Sequence, residues 1–280
     1  MLREYLTNIA NAIRSKLGEA DKVNAQDFAD KIAEVYDKGV MNQRKNFWNI
    51  FTDYGKRTNY NSTFNSVYWD KITFQPTVCI KPITASSMFS NANGGGLSSV
   101  GDNVYLEDYI AQFGGSLDWS ECTNYNAAFQ SCTFFRKLRE LDFRKVTAQA
   151  NTNNMSAWCG ITQVDVMKFA EDGSTPISNT MFYSWTRFGS DGTTSIDGTI
   201  GYSINLSSCP NMTVGTMKQI ITHLANYYDT DKEATCKITM PSTRWEALES
   251  DTSPYDDGLT DNENLTWKDY IQTSLGWLVA

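Results

Sequence analysis

Leu138-Arg-Glu-Leu141-Asp-Phe143 and Ile161-Thr-Gln-Val164-Asp-Val166 are two copies of one pattern, with apolar residues at the first, fourth and sixth places. Such a pattern gives a short strand whose alternating apolar side chains face inward. Looser versions stand at Ile72-Thr-Phe74 and Ile204-Asn-Leu206. A second motif recurs around them: Asn61-Ser-Thr-Phe64, Ser86-Ser-Met-Phe89, Asn126-Ala-Ala-Phe129, Met155-Ser-Ala-Trp158 and Asn179-Thr-Met-Phe182. Its aromatics fall 25, 40, 29 and 24 residues apart. Periods of about 20–29 residues belong to coiling repeats, and the long interval has room for an insertion at Gly94-Gly-Gly96. The pattern predicts one short strand per repeat, with the aromatic filling the space between coils. Residues 57–209 therefore read as an irregular, β-rich solenoid. An ordinary β-rich domain with repetitive Asn/Thr turns is the alternative.

The flanks read differently. Leu6, Ile9, Ala10, Ile13 and Leu17 lie on one helical face, and Gly18 can end that helix. A second helix is signalled by Asn24 as cap, Asp27 three residues on, and a Val23–Phe28 staple. A third runs to about Tyr54 with Phe47, Trp48 and Phe51. Three short helices make a thin core that wants a partner surface. Residues 1–56 thus read as a helical docking or oligomerisation module, with Ile9, Ile13, Phe28, Phe47, Trp48 and Phe51 at the contact. Packing of these residues on their own chain is the alternative. Residues 210–280 read as an α/β cap: a helix capped by Thr213, a strand at 234–240, a helical stretch at Trp245–Leu248, a helix capped by Thr266, and an apolar edge strand at 276–280. The expected fold class is α+β.

Composition excludes several functions. With 36 aromatics among 280 residues the chain is no disordered segment. No run reaches the roughly 18 apolar residues of a membrane span. A single histidine, His223, rules out paired-histidine metal sites and leaves one base for any nucleophilic triad. Net charge −8 argues against nucleic acid as partner. The opening residues carry Arg3, Glu4, Arg14 and Lys16, so no secretory leader is expected. Six cysteines with no close pair read as reduced, buried thiols. The acidic stretch 251–263 lacks the glycine placement of a calcium loop. No cofactor, metal or catalytic residue is expected. Glu107 with Asp108, and Asp118 with Glu121, are carboxylate pairs without a supporting motif.

The opening Tyr5-Leu-Thr-Asn-Ile-Ala-Asn-Ala-Ile-Arg-Ser-Lys-Leu-Gly, followed by Asp21-Lys-Val-Asn-Ala-Gln-Asp-Phe, resembles a helical module of tail and appendage proteins from phages and prophages of Gram-positive gut bacteria. The aromatic repeats resemble BspA-like leucine-rich repeats, and Leu206-Ser-Ser-Cys-Pro-Asn-Met-Thr with the closing Leu275-Gly-Trp-Leu-Val-Ala280 resembles their C-terminal cap. The resemblance implies a virion structural protein and no enzyme. It would be made in the host cytoplasm and attached to other virion proteins through the N-terminal module. A homo-oligomer, with a trimer favoured, would bind a host cell-surface glycan or protein. A collar, baseplate or capsid-decoration protein, or a bacterial surface adhesin, are the alternatives.

In a leucine-rich-repeat strand the residues between apolar positions face an open sheet. That reading displays Arg139, Asp142 and Arg144 on one coil and Gln163 and Asp165 on the next. Tyr183 and Trp185 form an aromatic cluster suited to stacking on sugars. These seven residues make the candidate receptor-binding surface. A solvated charged face, and burial of the aromatics, are the plainer alternatives.

Overall fold

A computed structural model describes residues 7, 10–12, 58–66, 79–92, 105–111, 115–227, 236–250 and 266–280. The six residues of the expected docking module, the Gly94–Gly96 insertion and the 251–263 stretch lie outside them.

Among the described residues the strands pair in parallel throughout, in three separate small sheets. Strand β1 (Cys79–Ile80) pairs with β2 (Ser116–Leu117). Strands β3 (Lys137–Asp142), β4 (Gln163–Lys168) and β5 (Ser195–Asp197) form the second sheet in that order. Strands β6 (Ile204–Asn205), β7 (Lys237–Thr239) and β8 (Leu278–Val279) form the third. This overturns the expected solenoid with one strand per repeat. Two local features interrupt any common sheet. Tyr105 makes a single parallel bridge to Lys137, and the chain then turns at once into helix α1 (Leu106–Ala111), which buries Leu106, Tyr109 and Ile110 at helical spacing. After β5 the chain turns at Gly198, whose φ of 91° suits only glycine; a Cβ there would sit 2.0 Å from the Phe169 carbonyl oxygen.

The stacking instead runs through the turns. Tyr60, Ser62, Phe64 and Ser66 donate backbone N–H groups to the carbonyls of Thr84, Ser86, Met88 and Ser90. Ala85, Ser87, Phe89 and Asn91 donate in turn to Asn124, Asn126, Ala128 and Gln130. Tyr125, Ala127, Phe129 and Ser131 donate to Asn151, Asn153, Met155 and Ala157. Alternate amides can point the same way because each turn holds left-handed residues: Ser62 and Ser66, Ser87 and Asn91, Ala127 and Ser131, Asn154 and Trp158, all at φ of about 50°. Asn and Asp side chains close the corners by accepting from an amide two residues on, as Asn59, Asn124, Asp118 and Asp142 do. That accounts for part of the chain's Asn content.

Inside the turns, Phe64 stacks on Phe89 at 5.3 Å and Phe89 on Phe129 at 5.6 Å. The hydrogen-bond register continues this position to Ser156, whose hydroxyl donates to the Met181 carbonyl at 2.8 Å. Trp158, expected from sequence to be the filler, therefore stands two residues too late and points outward. Trp119, Tyr125, Phe135 and Phe143 pack around this stack.

The C-terminal elements follow the sequence signals more closely. Helix α2 (Val214–Thr222) is capped by Thr213, which accepts from Thr216 N–H. Helix α3 (Ser242–Glu249) buries Trp245 and Leu248. Helix α4 (Trp267–Asp269) has a full capping box from Thr266 and Asp269, and runs on into a wide turn at Tyr270–Ser274. Strand β8 is an edge strand, but Leu278 on it is 55% exposed rather than buried.

All six cysteines are free; Cys122, Cys132, Cys159 and Cys209 are buried, and burial pushes the Cys122 and Cys132 thiols up to about 12. A thiol-alkylating reagent should modify Cys79 first, half-buried Cys236 more slowly, and the other four only after denaturation, as mass spectrometry of timed aliquots would read. Phe129→Ala should cost about 3–5 kcal/mol in a urea titration, because it leaves a hole between two stacked turns.

Candidate functional site

Strands β3 and β4 bring Arg139, Gln163 and Asp165 together, with Arg139 exposed and Asp165 half-buried, but Gln163, expected on the open face, is buried. Leu138 and Leu141 point inward from β3 and leave Arg139 exposed between them. Helix α1 then supplies partners that the sequence did not reveal. Arg139 forks onto Asp108, with Nε 3.1 Å from Oδ1 and Nη2 2.7 Å from Oδ2. Its guanidinium lies 4.3 Å from the centre of the Tyr105 ring. The Tyr105 hydroxyl donates to Asp165 Oδ1 at 2.9 Å. Burial, then this bond to a carboxylate, pushes Tyr105 up to about 12.

The other charges of this face are matched as well. Lys137 pairs with Asp191 at 2.8 Å and Lys168 with Glu140 at 2.7 Å. Gln163 is buried and donates to the Thr193 carbonyl at 3.0 Å. Arg144 grips Asp142, whose side chain has no exposure. Asp142 is thus a buried brace at the end of β3, while Arg144 stays in solvent. A face whose cations are already held by carboxylates has little pull on an anionic ligand, and such exposed pairs add at most about 1 kcal/mol each.

Beneath Arg139 lies a cavity of about 390 Å³ that Glu107, Asp108, Asp118 and Glu140 reach. Burial drives Glu107 up to about 7 against the pull of nearby backbone N–H donors. Its Oε2 accepts from Arg139 N–H at 3.1 Å, and its Oε1 is sealed from solvent without a hydrogen-bond partner. Asp118 goes the other way: burial would raise it, but the Ser120 donors and the Lys81 ion pair at 3.0 Å hold it low. One acid raised and one lowered is a pattern of hydrolytic sites. Here the raised acid turns its bare oxygen into the fold, and the lowered one is occupied by Lys81 and Ser120. His223, the one imidazole, ends helix α2 with Nδ1 2.7 Å from the Gly198 carbonyl oxygen.

The two aromatics named from sequence part company. Trp185 is fully buried, donates its indole N–H to the Ile161 carbonyl at 2.8 Å, and stacks on Phe182, so it is core. Tyr183 is 48% exposed and meets a residue absent from the expected surface, Trp158, edge to face at 5.8 Å. Trp158 is 58% exposed at φ 55°. The same second left-handed position is held by Ser66, Asn91 and Ser131 in the preceding turns, with Ser184 left-handed in the next. Small polar residues tolerate that conformation; a bulky one there is an outlier. Only the hydrogen-bond register reveals it, because by sequence alone Trp158 looks like the repeat's core aromatic. Beside it a cleft of about 450 Å³ is lined by Arg136, Arg187, Thr133, Ser184 and Thr186 among others.

No protein-family model, curated protein or solved structure matches this chain.

Glu107 has a clear pH signature. Its folded-state value lies above the ordinary carboxylate value, so the fold binds its proton more tightly than the unfolded chain does. Its contribution is fully present below about pH 4.5 and is lost as pH rises towards 7. Glu107→Gln should remove that decline and make the protein more stable than the parent above pH 7, read as melting temperature against pH.

Proposed function

We propose that this chain is a non-enzymatic virion component of a phage tail or appendage that contacts the host surface through the edge carrying Trp158. One observation carries the contact surface: a tryptophan, mostly in solvent, held at a left-handed position that the neighbouring turns give to Ser or Asn. Such a residue costs of the order of 1–3 kcal/mol in backbone strain, and Trp158 has only its edge contact with Tyr183 and partial burial to set against that. A locally unfavourable, exposed aromatic beside a polar cleft is what a binding anchor looks like in its free state. The virion setting is supported by the resemblance of the N-terminal sequence, the repeats and the closing segment to phage appendage proteins. Attachment by several copies would convert weak single contacts into durable adhesion.

The turn geometry provides a clean variant. Trp158→Ser places at this position the residue that Ser66 and Ser131 already are, so the melting temperature should be unchanged or higher. Binding of the labelled protein to host cells, and its competition with infection, should fall at least tenfold. Undiminished cell binding by a folded Trp158→Ser protein would overturn the assignment of the surface.

A further inference from the structure

We infer that the cleft beside Trp158 takes a sugar ring bearing an anionic group, a carboxylate or a phosphate ester, from an acidic glycan. This rests on Trp158 marking the contact surface and goes on to name the ligand. The cleft, at about 450 Å³, falls in the usual range for small-molecule sites. Its walls combine three chemistries. The Trp158 indole offers a flat face for the C–H side of a pyranose. Thr133, Ser184 and Thr186 offer hydroxyls that both donate and accept, as sugar hydroxyls do. Arg136 and Arg187 offer guanidinium forks, which match carboxylate and phosphate oxygens.

The charge of the cleft is the discriminating feature. The chain carries 32 acidic against 24 basic residues, yet no carboxylate is among the described residues lining this cleft. On the β3–β4 face, 137, 139 and 168 are each held by an acid; Arg187 is exposed and makes no ion pair among the described residues. Arg136 is braced at the cleft: its Nη1 donates to the Gly160 carbonyl at 2.9 Å. Gly160 leaves the room for it, since a Cβ at that position would lie 2.3 Å from the same Nη1. A fixed arginine and a free-standing one, with a tryptophan between hydroxyls, select for an anionic sugar over a neutral one.

The test uses the full chain and three probes in calorimetric titrations: a uronic-acid oligosaccharide, a phosphorylated oligosaccharide, and the neutral parent sugar. At least one acidic probe should bind, at least tenfold more tightly than the neutral parent, and salt should weaken it. Arg187→Gln should lose at least tenfold, Arg187→Lys should recover part of that by restoring charge without the fork, and Trp158→Ser should abolish binding. The carboxylate and phosphate probes separate the two sources of charge. Equal binding of the neutral parent overturns the inference, as does Trp158-dependent self-association in sedimentation without glycan binding. Cell binding that is lost in Trp158→Ser, with neither acidic probe bound at millimolar concentration, overturns the ligand while leaving the surface in place. Cell binding that is indifferent to Trp158→Ser overturns both.

Discussion

The ladder of backbone hydrogen bonds from turn to turn is the constraint on which the rest depends. Three successive turns each send four alternate amides to the next, and that count is possible only if residues such as Ser62, Ser66, Ala127 and Ser131 adopt the left-handed conformation. Once the ladder holds, the register of the side chains follows without further choice. Phe64, Phe89 and Phe129 are brought face to face, and Tyr125 reaches the Asp142 carbonyl at 2.7 Å to tie a turn to the end of β3. The conformational cost of several left-handed residues is offset by burial of these rings, at roughly 25 cal/mol per Å² of apolar surface.

The same ladder explains what could be read from the sequence and what could not. Strands β3 and β4 were legible because Leu138, Leu141, Phe143, Ile161 and Val164 mark one buried face at short range, although Val166 is only half-buried and Met167 is buried in its stead. The caps at Thr213 and Thr266 were legible because capping is a local chemistry of four residues. The solenoid was not correct, because pairing of distant strands depends on what lies between them. The Leu106–Ala111 helix and the Gly198 turn divide the parallel pairs into three sheets, and neither announces that effect in its own residues. Trp158 shows the finer limit. Met155-Ser-Ala-Trp158 has the look of Asn126-Ala-Ala-Phe129, yet the amide register aligns Phe129 with Ser156. A shift of two residues exchanges core for surface.

Of the candidate surface, Arg139, Gln163 and Asp165 were brought together as alternation along strands predicts. The partners that neutralise them, Tyr105 and Asp108, arrive from a segment some thirty to sixty residues earlier, through a contact that no periodicity encodes. The outcome inverts the sequence's emphasis. Of the basic stretch from Arg136 to Lys145, Lys137, Arg139 and Arg144 are held by Asp191, Asp108 and Asp142. Arg136 alone of that stretch faces the Trp158 cleft.

Charge compensation and backbone strain therefore point to different ends of the same sheet region. The β3–β4 face has its polar groups satisfied by one another, which fixes the position of α1 and leaves little for a ligand to gain by displacing them. The turn edge has the opposite character: Trp158 is strained and exposed, and Arg187 is exposed without an ion pair among the described residues. Binding energy comes from differences between the free and bound states. A surface already at rest with itself has little to gain, whereas an aromatic held out in water next to a basic cleft loses its solvent cost only when something covers it. The proposed contact therefore belongs at the turn edge, and structural cohesion on the sheet.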